Sequence, residues 1–300
     1  MLTTSSGART LRKTLENIIT DSDDGIGSDL DCSYFMKQES MDKNYVQDLE
    51  RGGPGLLTET PEAMPLDELN INDGALTTYI SRKFGGLMTI SEEMEEDGQY
   101  NSTYFNGART LKRAGFKTLE VDTANVLNRG WNTGFVGGDG LPLFSASHTI
   151  PGGGTFSNTL AVPMAPSVAA LNTVRQNVGV MVGHDGQREG YKVMKIVHPW
   201  AQDGAWETIL GTKNGLNTSG QDLNVVANKG YTHRPILFWT ASDTNWAVIT
   251  DAPNGLKLKW RRKFKARTWY EERPEVHIFG VSGRWARGWS NPRGAYGSEA

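Results

Sequence analysis

The stretch 256–269, LKLKWRRKFKARTW, constrains this 300-residue chain more than any other. At the two-residue period of a strand, Lys257, Lys259, Arg261, Lys263, Lys265 and Arg267 share one face, while Leu258, Trp260, Phe264 and Ala266 share the other. Only Arg262 breaks the pattern. A helix would scatter both sets around its axis, so the segment is read as a long strand with core on one side. Six like charges on the other side repel one another and need water, carboxylates or phosphates opposite. Solvent satisfies them by default. Nucleic acid would satisfy them through its phosphates, whatever the base sequence, but the aromatic rings that would stack on bases point to the opposite face. An acidic protein surface is the third reading.

The rest of the chain supplies such a surface. Residues 1–100 contain 20 Asp and Glu against 8 Lys and Arg, and the remaining residues contain 14 against 23, so the net charge of −3 hides two portions that attract. The densest acidic run is Glu92, Glu93, Glu95, Glu96 and Asp97. Pairing within one chain would satisfy the basic strand. If a long helix holds the acidic run and the strand apart, contact comes more easily from a neighbouring copy. Arg82 and Lys83, beside the acidic run, join these residues as candidate intersubunit contacts.

Composition narrows the class. Apolar residues at 37% and charged residues at 22% describe an ordinary globular chain, and no apolar run approaches the length of a membrane span. The first thirty residues lack the apolar core of a signal peptide. Cys32 is the only cysteine, which excludes an intrachain disulfide and paired-cysteine metal motifs and fits a reducing compartment. No Trp precedes Trp131, and eight of nine lie from Trp200 onward, so the large cores are expected late in the chain.

Along the chain, residues 1–65 read as an extended arm, with Tyr34, Phe35, Met36 and Tyr45 ordering against another surface. LTTYI (76–80) and LMTIS (87–91) read as a hairpin with a six-residue loop over 81–86. Ser102 to about Gly130 reads as the longest helix, capped by Ser102, bent near Gly115 and roughly 43 Å long. A glycine-rich loop with a small hairpin follows, then a helix capped by Ser167 and running to about Val182. Strands are expected at 192–197, 222–226, 234–240 and 246–251, with a short helix at 205–213. A second alternating strand follows Pro274. The interleaving predicts a mixed α/β or α+β unit.

The chemical motifs are sparse. GxxxxGK[ST] and GxGxxG are both absent. His148, His184, His198, His233 and His277 never fall at the i, i+4 spacing of a helical metal site, so neither a metal nor a cofactor is expected. His148 near Ser145 and Ser147, or His184 beside Asp185, allows a Ser/His hydrolase to be imagined. Structural histidines are the favoured reading. His198, before Pro199, reads as a strand-end residue.

Three groups of residues resemble the major capsid proteins of tailed bacteriophages, specifically the Mu-type major head subunits. They are Phe105-Asn106-Gly107-Ala108 with Asp122-Thr123-Ala124-Asn125-Val126-Leu127-Asn128; Asp139-Gly140-Leu141-Pro142-Leu143-Phe144-Ser145-Ala146-Ser147-His148 with Gly152-Gly153-Gly154-Thr155-Phe156-Ser157-Asn158; and Asn291-Pro292-Arg293-Gly294. The resemblance covers about residue 60 to the end.

This resemblance implies the Hong Kong ninety-seven-like α+β fold. An N-terminal arm would occupy 1–65 and an extended hairpin loop, the E-loop, 66–98. A peripheral domain would combine 99–162, containing the spine helix, with return strands in 250–300, and an axial domain would occupy 163–249. It implies a non-enzymatic subunit whose copies form hexamers and pentamers of an icosahedral shell in the virion, assembled in the bacterial cytoplasm. Further partners would be packaged double-stranded DNA, held by weak non-specific contact, and portal, scaffold, protease and decoration proteins. No membrane is involved. An encapsulin-like compartment is the alternative within the fold. A hydrolase and a DNA-binding protein using Lys257 to Arg267 are the rivals outside it.

Overall fold

The structure is a computed structural model that describes residues 29–69, 71–93, 100–211, 224–273 and 275–300. The basic segment forms a sixteen-residue strand, β10 (Leu256–Glu271), paired antiparallel with β11 (Val276–Trp289) along its whole length. Two further strands complete a sheet of order β1-β10-β11-β4, with β1 at Lys37–Ser40 and β4 at Arg82–Ser91.

The basic face differs from strict alternation. The β10 register against β11 slips by one residue between Trp260 and Arg262 and again between Arg262 and Lys265. Each slip is a bulge that reverses the side on which the next residue falls. Lys257, Lys259, Arg262, Lys265 and Arg267 therefore share the face, while Arg261 and Lys263 sit within the bulges. The residue that broke the pattern belongs to it.

The opposite face carries the core. Helix α2 (Tyr100–Asn128), about 43 Å long at 1.5 Å per residue, crosses it, and the short helix α1 (Asp31–Phe35) packs beside α2. Leu119, Val126 and Leu127 pack with Leu258 and Trp285, and Phe84 stacks on Trp285 at 4.3 Å. Gly115 lets the helix approach the sheet, because a Cβ there would meet the Phe264 ring at 3.1 Å. Tyr100 is already helical, so Ser102 lies inside the helix rather than capping it.

A second sheet, of order β12-β9-β7-β8, comprises β7 (Val193–His198), β8 (Thr232–Pro235), β9 (Trp246–Thr250) and β12 (Ala295–Ser298). Helix α3 (Val168–Val180) covers it, capped by Ser167, whose Oγ accepts from Ala170 N at 3.0 Å. Helix α4 (Asp203–Gly211) supplies Trp206, which meets Trp246 edge to face in the core. The C-terminal β12 thus leaves the long strands and joins the sheet built from 193–250.

Three expectations are corrected. Residues 76–80 and 87–91 do not pair. They belong to β3 (Asp73–Ile80) and β4, separated only by Ser81, and β3 pairs with β2 (Tyr45–Arg51) while β4 pairs with β11. Nearest-neighbour pairing failed because the true partner of β3 lies in the acidic segment read as an arm. That segment is built into the fold over 30–51: Cys32, Phe35 and Met36 are core residues, β1 runs parallel to β10, and β2 pairs with β3. The arm's first 28 residues lie outside the described set, as do Asp222, Glu95, Glu96 and Asp97. Residues 224–226 form a turn, with Asn224 Oδ1 accepting from Val226 N, and beyond Pro235 the chain turns at 236–239 instead of continuing as a strand. Among the described residues no helix is long and apolar enough to cross a membrane.

Candidate assembly surface

The acids of β1 and β2 explain where part of the basic face spends its charge. Lys257 and Lys259 are each 4% exposed. Both donate to Asp48 at 2.7 Å, and Glu39 lies 3.9 and 3.7 Å from them. Asp48 also accepts from Ser290 Oγ, which in turn meets the Tyr79 hydroxyl. Burial pushes the Asp48 carboxyl up, but the hydrogen bonds from Lys257, Lys259 and Ser290 outweigh it and hold the pKa at about 2. Lys257 and Lys259 are therefore intrachain partners, which corrects the intersubunit expectation for these two residues. The physical reason is register: β2 crosses the basic face and aims Asp48 into it.

Two residues farther along β2, Glu50 accepts from Arg293 at 2.9 Å, and His184 Nδ1 lies 2.5 Å from the same carboxylate. Arg293 is fully buried, donates to the carbonyls of Val182 and Gly183, and lies 3.8 Å from the Phe156 ring centre. Asp29 and Asp31 bind Arg234 in the same manner, acid from the N-terminal third to base from the C-terminal two thirds.

These contacts anchor the β2–β3 hairpin at its base and middle. Its far end is bare. Gly52 approaches the His184 carbonyl, Gly74 approaches Pro151, and beyond them residues 54–69 carry no strand or helix. Leu57 and Leu66 are each 84% exposed, with Leu56, Met64 and Ile71 also open to solvent. The span 52–72 contains four acids, Glu59, Glu62, Asp67 and Glu68, and no base. Thr58 donates to Asp67 at 2.5 Å across this tip. Exposed apolar residues in such a concentration mark an interaction site.

Other basic residues of the sheet are open to solvent. Arg261, Lys263, Lys265 and Arg267 are exposed on β10, as are Arg82 and Lys83 on β4. A groove of about 680 Å³ runs over glycines 85, 86 and 280, between Lys83, Arg262 and Arg267, with Leu87 and Trp269 at its wall. Arg262 donates to Ser282 at 2.7 Å, but its Nε is buried without an acceptor. Glu92 accepts from the Tyr270 hydroxyl of its own chain, and Glu93 is exposed. Glu92 thus meets the far end of β10 within its own chain.

Neither imagined triad forms. His148 is fully buried and directs its ring nitrogens at Asp139 and the Leu143 carbonyl, at 2.5 and 3.2 Å. His184 pairs with Glu50 rather than Asp185. The motif strings serve packing instead: Asn158 donates to the carbonyls of Leu143, Pro292 and Ala295 and accepts from Ser145 N, joining three segments at one side chain. Sequence reasoning missed Glu39, Asp48 and Glu50. Their signal was available in β2, where YVQDLER alternates at period two, but acids at every second position read as solvent-facing.

No family model matches this chain, and no curated protein does. Solved structures do. A virus-like particle from Pyrococcus furiosus matches at a TM-score of 0.54 and 9% identity, over 96% of this chain and 98% of that one. The fold is that of a shell protein, the Hong Kong ninety-seven-like capsid fold. A protein of Microbacterium phage Oxtober96 matches at 0.55 and 9% identity, over 90% of each chain. The capsid of cyanophage P-SCSP1u matches at 0.54 and 13% identity, over 88% of this chain and 85% of its own.

Proposed function

We propose that this chain is the major shell subunit of a phage head, a non-enzymatic protein whose copies form hexamers and pentamers around double-stranded DNA. One observation carries the reading: a hairpin anchored by buried ion pairs ends in a tip whose apolar residues stand open to solvent among the described residues. Burying a leucine is worth about 1.5–3 kcal/mol, so the several at the tip supply a useful contact only on another molecule. The match to three particle-forming or phage proteins over most of their length supports a copy of the same chain as that molecule.

The E-loop role falls to β2–β3 and the residues between them, 45–80, rather than to 66–98. The tip is acidic and apolar, and the groove near Arg262 is basic and apolar, so the groove of a neighbouring copy offers a complementary seat. Such a contact joins two different patches and closes into rings when repeated by rotation, and its many copies add as avidity. Helix α2 and the long strands take the peripheral role, and α3, α4 and β7 to β9 the axial one. The Mu-type character rests on the strings around Phe105, Asp139 and Asn291.

Particle mass and electron microscopy of the purified chain test the proposal. Closed megadalton shells are expected, with nuclease-protected double-stranded DNA in particles from infected cells. A monodisperse monomer at high concentration overturns it, and shells lacking DNA in that setting favour a compartment for other cargo.

A further inference from the structure

The end of β7, the middle of β8 and the first residue of α4 bring together three side chains that the shell reading does not use. His198 Nε2 lies 3.1 Å from His233 Nδ1. Asp203 Oδ1 stands 3.9 Å from the first and 3.7 Å from the second. Those two separations are too long for hydrogen bonds, so the carboxylate faces both rings without bonding to either. Three atoms at these mutual distances lie on a circle with a radius of about 2.1 Å, the length of a bond from zinc to imidazole nitrogen or carboxylate oxygen. A single point therefore reaches all three donors at ligand distance with no side chain moved.

We propose that His198, His233 and Asp203 form a binding site for a divalent transition metal of the zinc class. Two imidazoles and one carboxylate suit that class, whereas calcium and magnesium prefer oxygen donors throughout. The surroundings hold the donors in place. His198 Nδ1 lies 3.0 Å from the Pro199 carbonyl, so Nδ1–H donates there and the Nε2 lone pair accepts from His233 Nδ1–H in the metal-free chain, a proton that metal binding releases. The buried Trp206 ring lies nearly parallel to the His198 ring, 6.1 Å away, and donates its Nε1–H to Gln202. Gln202 in turn donates to the carbonyls of Asp243 and Asn245, fixing the turn that presents Asp203. One side of the site stays open, since the Asp203 side chain is 35% exposed and that of His233 is 23% exposed. Water, or a side chain from a neighbouring copy, completes the coordination there. The i, i+4 rule misses this site because its ligands come from two parallel strands and a helix start.

Full-length protein, stripped with a chelator and dialysed, is titrated with zinc chloride at neutral pH by calorimetry, and with cobalt(II) to read its visible absorption. One ion per chain with a dissociation constant in the micromolar range or below is expected, with cobalt bands of four-coordinate intensity. Asp203→Asn and His233→Ala, at partly exposed positions, should each weaken zinc binding at least tenfold while leaving the metal-free unfolding midpoint near that of the parent. Zinc should raise the parent's midpoint and not the variants'. Absence of stoichiometric binding below about 100 µM zinc, or unchanged affinity in both variants, overturns the assignment.

Discussion

Replacing Asp48 with asparagine removes the carboxylate on which Lys257, Lys259 and Ser290 converge. Two ammonium groups, each 5% exposed at the side chain, would keep only Glu39 at 3.7 to 3.9 Å. Removing one partner of a fully buried pair costs about 3–5 kcal/mol. Asp48 is 20% exposed at its side chain, so we discount this to about 2–4 kcal/mol for Asp48→Asn. The depressed pKa gives a second route: a fall from 3.8 to about 2 corresponds to roughly 2.4 kcal/mol before any discount for solvent. The sign follows from the shift. The folded carboxyl releases its proton more readily than the unfolded one, so its stabilisation is complete above about pH 4 and disappears as pH falls through about 2. Guanidinium unfolding of the unassembled chain, followed by tryptophan fluorescence, measures the difference. Parent and variant should differ by at least about 2 kcal/mol at pH 7 and converge toward pH 2. A difference below about 0.5 kcal/mol at pH 7, the range of ordinary surface substitutions, refutes the claim that this carboxylate pins the hairpin to the sheet.

Leu57→Ser with Leu66→Ser should change subunit stability by no more than about 0.5 kcal/mol, because both side chains are open to solvent, yet abolish shells in light scattering and electron microscopy; normal particles would remove the tip from the interface. Arg261→Glu with Lys263→Glu should leave a folded chain with impaired assembly, whereas Lys259→Glu should unfold it by gathering three carboxylates, Asp48, Glu39 and the introduced one, around Lys257 alone; circular dichroism and particle yield separate the two outcomes. Glu120, buried on α2 with one oxygen unpartnered, has its pKa raised from 4.5 to about 7, by burial first and the Asp31 charge second. The folded chain therefore keeps a proton that the unfolded chain loses, and stability should fall as pH rises from about 4.5 to 7, with Glu120→Gln more stable than the parent at pH 8 by about 2 kcal/mol, the roughly 3.4 kcal/mol of the full shift reduced for partial solvent screening. A variant less stable there would show that the carboxylate is held by contacts stronger than its desolvation.

How far the molecule was legible follows from particular residues. The α2 helix, α3 with its Ser167 cap, and the strands β10 and β11 stood in the sequence because periodicity and capping act over a few neighbouring residues. The resemblance strings also held meaning, although their work is packing around Asn158 and Arg293. The basic stripe was visible, but its composition was not: two bulges put Arg262 on the face and took Arg261 and Lys263 off it, and a bulge exists only relative to a partner strand. The hairpin failed for a related reason, since strand runs do not state whom they pair with, and β3 found β2 instead of β4.

The sequence by itself determined that this chain carries opposite charge in its two portions, a long two-faced strand and a long helix, because these depend on residue identity and short-range spacing. Only the tertiary structure decided which charges are spent at home and which remain to be offered. Asp48 meets Lys257 and Lys259 from more than two hundred residues away; that meeting is a consequence of strand order, and a pairwise Coulomb attraction legible in the composition carries no address. The same geometry that buries those lysines leaves the tip leucines outside, and places His198, His233 and Asp203 around one point.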